Sequence, residues 1–382
     1  MAASGPLSGR HVRIIGAGIG GLTAALALAR QGARVIIHER AAGLREVGAG
    51  IQVSPNAGRL LADLGLDAAF AAIAPRADEL HLWTAEGRPV ARLDWRRLRP
   101  GQPFRTVHRA RLVAMLEAEA RAAGTAIRLG EAITGTDLED GFGTDADLVI
   151  GADGLHSVLR RRLNGPETPF FTGQTAWRAL ILCDDTAPAR ADLFMGPGRH
   201  LVSYPLGGGL RNIVAVVERA DWPDEDWSHR GDPDILRRDF SGFRGPVPGW
   251  LEQVAEVGIW GLFRHQVAPR WQDGRHVILG DAAHPTLPFM AQGACMAIED
   301  AWQLAACLAA TPDQPAALAR YESLRAPRCR RIVAMANDNA RNYHLSGPRR
   351  PLAHGALRVA TALAPSALYR RFAWIYDYDP RG

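Results

Sequence analysis

Residues 11–39 constrain this chain more than any other stretch. A short β-rich run, Val12–Ile15, breaks into Gly16-Ala17-Gly18-Ile19-Gly20-Gly21, and an alanine- and leucine-rich segment then continues to about Arg30. A second apolar run, Arg34 to His38, ends in Glu39, 23 residues after Gly16. The glycines at 16, 18 and 21 fit G-x-G-x-x-G. The first permits a tight turn, the second lets a pyrophosphate approach the backbone, and the third lets helix and strand pack closely. The helix N-terminus then faces the phosphate charge. Glu39 stands where an acid hydrogen-bonds ribose hydroxyls. Ala17 and Arg40 belong to the same expected dinucleotide site.

Two later segments repeat the logic. Residues 147–157 and 276–301 each carry an apolar strand into a glycine turn, and the second runs on into a helix. Gly154 lets backbone pass close to a bound pyrophosphate, and the Asp153 carboxylate orients its neighbours. Asp281 falls at the tip of the strand 276–280, the end at which open α/β sheets bind ligands. There it can accept hydrogen bonds from flavin ribityl hydroxyls. A helix is expected from Gly293-Ala294-Cys295 to about Leu308. Its free N–H groups would stabilise negative charge on the N1–C2=O edge of a reduced flavin. Cys295 reads as a small packed residue rather than a nucleophile, and His284 as a structural hydrogen-bonding histidine.

Composition narrows the class further. At 382 residues the chain is long enough for two cores, and 47% hydrophobic content with 40 glycines suits a soluble α/β protein. The net charge is +5, and all 45 basic residues are arginine. They are scattered among acids, so no basic stripe for nucleic acid emerges; a modest positive field suits an anionic substrate or a reduced nicotinamide dinucleotide. The cysteines at 183, 295, 307 and 329 show neither C-x-x-C pairing nor metal spacing. They read as free thiols of a reducing compartment, with no metal site. The first ten residues lack a signal-peptide core, and no uncharged apolar run is long enough to span a bilayer. The expectation is a cytoplasmic protein without an integral membrane segment.

The expected fold is α/β: a Rossmann-like FAD-binding domain with an inserted, mostly antiparallel β-sheet substrate domain and a C-terminal helical region. Residues 1–75, 101–170 and 270–335 form the discontinuous cofactor domain. Residues 76–100 and 171–269 alternate like strands of another sheet, with one helix near 232–241. Residues 336–382 form the helical tail. The active site is expected at the junction of the two domains.

The ordered set GAGIGG, EVGAGIQVSPNA (46–57), HRARL (108–112), DLVIGADG, YPL-GGG (204–209), GDAAHP, AQGACMAIEDA and YESLRAPR (321–328) spans roughly residues 10–340. It resembles the single-component FAD-dependent aromatic hydroxylases of the para-hydroxybenzoate hydroxylase fold. The cluster of salicylate hydroxylase, 3-hydroxybenzoate 6-hydroxylase and 6-hydroxynicotinate 3-monooxygenase is the most similar. The resemblance implies that Arg109 contacts FAD and that Gly48–Ile51, including Gly50 and Ile51, line the isoalloxazine. It also implies NADH or NADPH as cosubstrate without a separate nicotinamide domain. Dioxygen would add at flavin C4a, and the hydroperoxide would hydroxylate an activated ring.

The protein must then make the substrate hydroxyl more phenolate-like. In the run 199–206, His200, Val202 and Tyr204 share one face by the period-two rule. His200 and Tyr204 lie roughly 13 Å apart at the usual strand rise, so both can meet one ligand. A histidine suits general-base work near neutral pH, and relatives carry this His-x-x-x-Tyr pair in the substrate pocket. Gln52 stands where the 6-hydroxynicotinate enzyme has histidine, and Phe289 replaces a polar residue of relatives. Both changes favour a bulkier or less polar small aromatic substrate. Arg178 could pair with a substrate carboxylate, but it reads first as an exposed strand arginine. Two alternatives stay open: a ubiquinone-pathway-type hydroxylase resting on a membrane through the apolar 352–374 tail, and a non-hydroxylating FAD-binding oxidoreductase. A homodimer is also open.

Overall fold

A computed structural model of the chain describes residues 5–44, 50–184, 186–222 and 229–381. Five parallel strands form one sheet, in the spatial order His276–Ile278, Leu148–Gly151, His11–Ile15, Arg34–Glu39 and Ala126–Leu129. Counted along the chain this order is 5-4-1-2-3, the Rossmann arrangement. The order reverses between the first and fourth strands, and ligands bind outside the carboxyl ends at such a switch point. Gly16 leaves one of those strands and Ala152-Asp153 the other. They approach so closely that a Cβ on Gly16 would lie 2.4 Å from the Ala152 carbonyl oxygen.

The helix Ile19–Arg30 is apolar nearly all round because it is buried nearly all round. It packs on the helices Gly293–Ala310 and Arg109–Ala122. A Cβ on Gly20 would meet Leu279 Cδ1 at 2.7 Å and Ala297 Cβ at 3.3 Å. That close approach joins the glycine turn to the Asp281 end of the same domain.

A second sheet has eight strands, running Arg230–Gly231, Val257–Arg264, Phe170–Leu182, Leu210–Glu218, Arg199–Gly207, Arg190–Gly196, Glu79–Thr84 and Pro89–Asp94. Its neighbours are antiparallel except Arg190–Gly196 with Glu79–Thr84, which run parallel. The mostly antiparallel expectation therefore holds, and residues 79–94 do join this sheet. Alternation divides its faces. Trp177, Ala179, Leu201, Ile213 and Ala215 pack on Leu236 and Leu251 of the helices Pro233–Asp239 and Val247–Glu252, and on Phe240 just after the first of them. The second of these short helices carried no periodic pattern long enough to be read from the sequence. His200, Val202, Tyr204, Val214 and Arg178 lie on the other face, as the register dictates.

A two-stranded ribbon, Gly50–Val53 with Arg105–His108, joins the two sheets. The Gly50 amide donates to Asn212 Oδ1 at 2.8 Å, and Thr106 Oγ1 donates to the Pro205 carbonyl at 2.6 Å. After the long helix Gln314–Tyr343 the chain forms the helices Arg349–Leu363 and Pro365–Tyr376. Its end packs back on the cofactor unit. Arg59 Nη2 donates to the carbonyls of Tyr376 and Tyr378, Arg328 donates to those of Trp374 and Ile375, and Ile375 is fully buried. No helix among the described residues is long and apolar enough to cross a membrane.

Candidate flavin and substrate site

The glycine turn has three distinct geometries. Gly16 has φ +100°, a conformation L side chains rarely adopt. A Cβ on Gly21 would lie 2.1 Å from the Gly16 carbonyl oxygen, so this glycine is required by packing within the protein. A Cβ on Gly18 would meet nothing within 4 Å, although Gly18 sits at the N-terminus of a buried helix. That open space above backbone amides is what an approaching pyrophosphate needs. Glu39 Oε2 accepts from the Ala17 amide at 2.7 Å and Oε1 from the Ala41 amide at 2.9 Å. The carboxylate thus ties the second strand to the turn, and each oxygen keeps a second lone pair for a ribose hydroxyl. Arg40 beside it is exposed.

Asp153 Oδ2 accepts from the Val158 amide at 2.8 Å, which pins the turn that contains Gly154. Burial pushes the Asp153 carboxyl above its usual range, against the hydrogen bonds from Ser157 and the Val158 amide. Gly154 has φ +74° and open space where a Cβ would be. Arg109 is half-buried at the first turn of the helix that follows the ribbon.

At the other end the strand closes at Ile278, and Asp281 sits in a short 3₁₀ turn, Gly280–Ala282, rather than on the strand tip. Asp281 is exposed while Gly280, Ala282, Ala283 and His284 around it are buried. The turn is held from below by Asp300. Its Oδ2 accepts from the Gly280 amide at 3.0 Å and lies 2.5 Å from His284 Nε2, and its Oδ1 accepts from Arg325 Nε at 2.7 Å. Burial alone would raise the Asp300 carboxyl, but the charges of His284 and Arg325 hold it at about 2. The same contacts, with Cys329, overcome burial and hold His284 well above the usual imidazole value. His284, Asp300 and Cys329 lie close enough to share an ion, but the Arg325 guanidinium already supplies the positive charge. Glu299 completes the network with Arg325 at 2.6 Å and a bidentate pair to Arg328 at 2.8 Å.

The helix Gly293–Ala310 begins without a side-chain cap. Gln292 instead donates to Ser54 Oγ at 2.8 Å and accepts from Asn56 Nδ2 at 3.1 Å. Ala291, at φ +50°, is the one positive-φ residue other than glycine among the described residues. A left-handed alanine costs about 1–2 kcal/mol, and here it turns the chain so that the helix opens toward the ribbon. Uncapped amides of Gly293, Ala294 and Cys295 and an apolar first turn suit the electron-rich edge of an isoalloxazine. Cys295 is buried, receives the Ser54 hydroxyl at 3.3 Å, and burial pushes its thiol up to about 11. It is a packed thiol. The cradle at Gly18, the Glu39 and Asp281 carboxylates and the uncapped helix together fit FAD.

Across the ribbon lies the substrate side. Tyr204 is buried against Gly50, where a Cβ would meet Tyr204 Cε2 at 2.8 Å. Burial drives its phenol far up, opposed by the Arg178 charge and a hydrogen bond with Gln52. Ile51 and Gln52 are half-buried on the ribbon. Arg178 is half-buried with its guanidinium 4.8 Å above the Trp260 ring, so it is a wall of the interior and not an exposed strand arginine. Phe289 packs with Ala176, Val216, Trp260 and Leu287, and its ring lies 5.4 Å from that of His200. His200 is buried, and burial together with the neighbouring His344 lowers its pKa well below the usual imidazole value. Its Nδ1 lies 2.7 Å from His344 Nε2.

The structure places His200 and Tyr204 on one face of the large sheet, with the Phe289 ring beside His200 and Gln52 hydrogen-bonded to Tyr204. Gly48 lies outside the described residues. Sequence reasoning missed Asn212, His344 and the acid–arginine network of Glu299, Asp300, Arg325 and Arg328. Two adjacent acids inside an apolar helix followed by Arg-x-x-Arg on the next helix was a readable signal, because unpaired buried charges are not tolerated. His344, just beyond a long helix, carried none.

Residues 10–336 match the family model described as FAD binding domain. The chain is 34% identical over 389 residues to 3-amino-4-hydroxybenzoate 2-monooxygenase of Streptomyces platensis, covering 97% of this chain and 96% of that protein. It is 33% identical over 386 residues to 3-hydroxybenzoate 6-hydroxylase of Klebsiella oxytoca, covering 96% of each. Among solved structures, a variant of HpxO from Klebsiella pneumoniae complexed with FAD superposes with a TM-score of 0.81 at 27% identity, covering 98% of this chain and 100% of that one. With the FAD cradle intact and relatives aligned end to end, the chain belongs to the FAD binding domain family and is an FAD-dependent monooxygenase.

Proposed function

We propose that this enzyme hydroxylates a small phenolic aromatic acid held between the ribbon, the Phe289 turn and the His200 face of the large sheet. The observation that carries this reading is the placement of His200, Tyr204 and Arg178 on one sheet face opposite the flavin-side ribbon. Bound FAD supplies reduction by NADH or NADPH and activation of dioxygen. The protein supplies the rest. His200, neutral because it is buried, accepts the substrate hydroxyl proton. Tyr204 and Gln52 orient the ring from the ribbon side, Phe289 and Trp260 cover its faces and exclude water, and Arg178 meets the carboxylate. The named substrates of the two relatives are hydroxylated benzoates, which agrees with an arginine in that wall.

In this reading residues 1–75, 101–170 and 270–335 hold the cofactor, 76–100 and 171–269 hold the substrate, and 336–382 brace the two. The partners are the aromatic acid, dioxygen and NAD(P)H, in the cytoplasm, where the cysteine thiols stay reduced. A homodimer is the assembly that light scattering decides. The test is a screen of hydroxybenzoates and matched phenols lacking the carboxylate, scored by stimulated NAD(P)H oxidation and product identification. Arg178→Leu is expected to raise KM for the acid by about 10- to 160-fold, the worth of about 1.5–3 kcal/mol for a charge-assisted hydrogen bond. It should leave the matched phenol unchanged. An equal effect on both ligands would remove Arg178 from carboxylate binding.

A further inference from the structure

We propose that His344 and Glu218 form a proton relay that connects the buried base His200 to solvent. The inference rests on His200 as the acceptor of the substrate proton. A base sealed inside a protein can turn over only if its proton leaves, and His200 is 2% exposed. Around it the wall is closed by Val216, Met195, Phe289 and Tyr343. One polar line crosses that wall. His200 Nδ1 lies 2.7 Å from His344 Nε2, and His344 Nδ1 lies 2.9 Å from Glu218 Oε1. The His344 side chain is 2% exposed, and that of Glu218 is 55% exposed.

The terminal carboxylate sets the tautomers of the whole line. A carboxylate only accepts, so facing Glu218 Oε1 His344 carries its proton on Nδ1 and presents a bare Nε2. His200 must then donate from Nδ1, which leaves its Nε2 lone pair for the substrate hydroxyl. Both rings are neutral near pH 7: burial lowers each, His344 acts further on His200, and Arg199 acts further on His344 against Glu218. Of the other groups facing them, Gln174 Nε2 lies 3.3 Å from His344 Nδ1 and can only donate, so it favours the opposite tautomer; the shorter 2.9 Å contact with the Glu218 carboxylate is the one that holds the proton on Nδ1. Tyr343, whose ring lies 5.1 Å from that of His200, has its phenol pushed up to about 12 by burial and stays protonated.

The transfer balances. The substrate O–H proton passes to His200 Nε2, the His200 Nδ1 proton to His344 Nε2, and the His344 Nδ1 proton to Glu218 and then to water. The bound substrate is left as phenolate. Return of a proton to the product oxygen runs the line backward and restores both tautomers.

His344 is a positioning and relay residue, and it is tested without turnover. The FAD holoenzyme is mixed with 4-hydroxy-3-nitrobenzoate, whose phenolate is coloured, in a stopped-flow instrument with a pH-indicator dye, at a pH below the free probe's own phenol pKa so that it arrives protonated. In the wild type, phenolate colour and proton release should rise in one phase. His344→Ala should bind FAD and probe within about twofold of wild type yet ionise the probe on the order of 10²-fold more slowly, with added imidazole restoring the rate. Glu218→Gln should slow proton release with probe affinity unchanged. Equal rates in wild type and His344→Ala, or a loss that imidazole does not restore, would overturn the relay while leaving His200 as base. A wild type that never ionises the probe would overturn the assignment of His200 itself. Nitrogen-15 spectra of the histidine-labelled holoenzyme add a probe-free readout: both rings should be Nδ1–H tautomers, and any other pair sinks the proposal.

Discussion

At the scale of single residues, the glycine turn separates folding from binding. Gly21 is required by the protein: a Cβ there would meet backbone at 2.1 Å, and backbone cannot yield as a flexible side chain does. Gly18 is required only by the ligand, since its Cβ would enter open space. Gly21→Ala should therefore destabilise the apoprotein by about 1–3 kcal/mol, the usual cost of overpacking. Gly18→Ala, at an N-cap whose φ of −73° alanine accepts, should cost the apoprotein no more than about 1 kcal/mol while weakening FAD binding at least tenfold. Urea unfolding of the apoproteins and flavin titration of each measure the two effects. Equal loss of stability in both variants would show that the turn is not a phosphate cradle. Both glycines were legible as a motif, yet only the packed structure tells which one serves the fold.

At the scale of elements, the helix Gly293–Ala310 is where cofactor chemistry and stability meet. Its first turn is left uncapped for the ligand, while Glu299 and Asp300 one turn later anchor it to the long helix through Arg325 and Arg328. Asp300→Asn leaves Arg325 and His284 short of a buried counter-charge and should cost about 3–5 kcal/mol. The same pair gives the stability difference between wild type and variant a defined pH dependence. His284 is raised in the folded state, so its contribution is complete below about 6.5 and fades as pH climbs through its folded value. Asp300 is depressed, so its contribution is complete above 3.8 and fades as pH falls toward 2. Denaturant unfolding of both proteins from pH 4 to pH 10, on the order of six points, should show the gap narrowing at the alkaline end. A gap that stays flat there would mean that His284 is neutral in the native protein.

At the scale of the whole molecule, the chain's end closes the cofactor unit. Arg59 and Arg328 donate to carbonyls between Trp374 and Tyr378, and Ile375 fills the core beside them. Removing residues 365–382 should cost at least about 2 kcal/mol, comparable to emptying one large core site. Thermal unfolding of the truncated holoenzyme checks this, and an unchanged melting temperature would make the tail a passenger. By itself the sequence determined the parallel αβ unit, the flavin motifs and the alternation that sends His200 and Tyr204 to one face. Those features follow from local rules: glycine at positive φ, apolar periods of 3.6 and 2, and charges at helix ends. Tertiary structure alone decided that Arg178 turns inward, that Asn212 ties the sheet to the ribbon, and that His344 arrives beside His200 from 144 residues away. Such contacts join segments far apart in the chain. They depend on how two sheets and a long helix pack against one another, and no local periodicity encodes that.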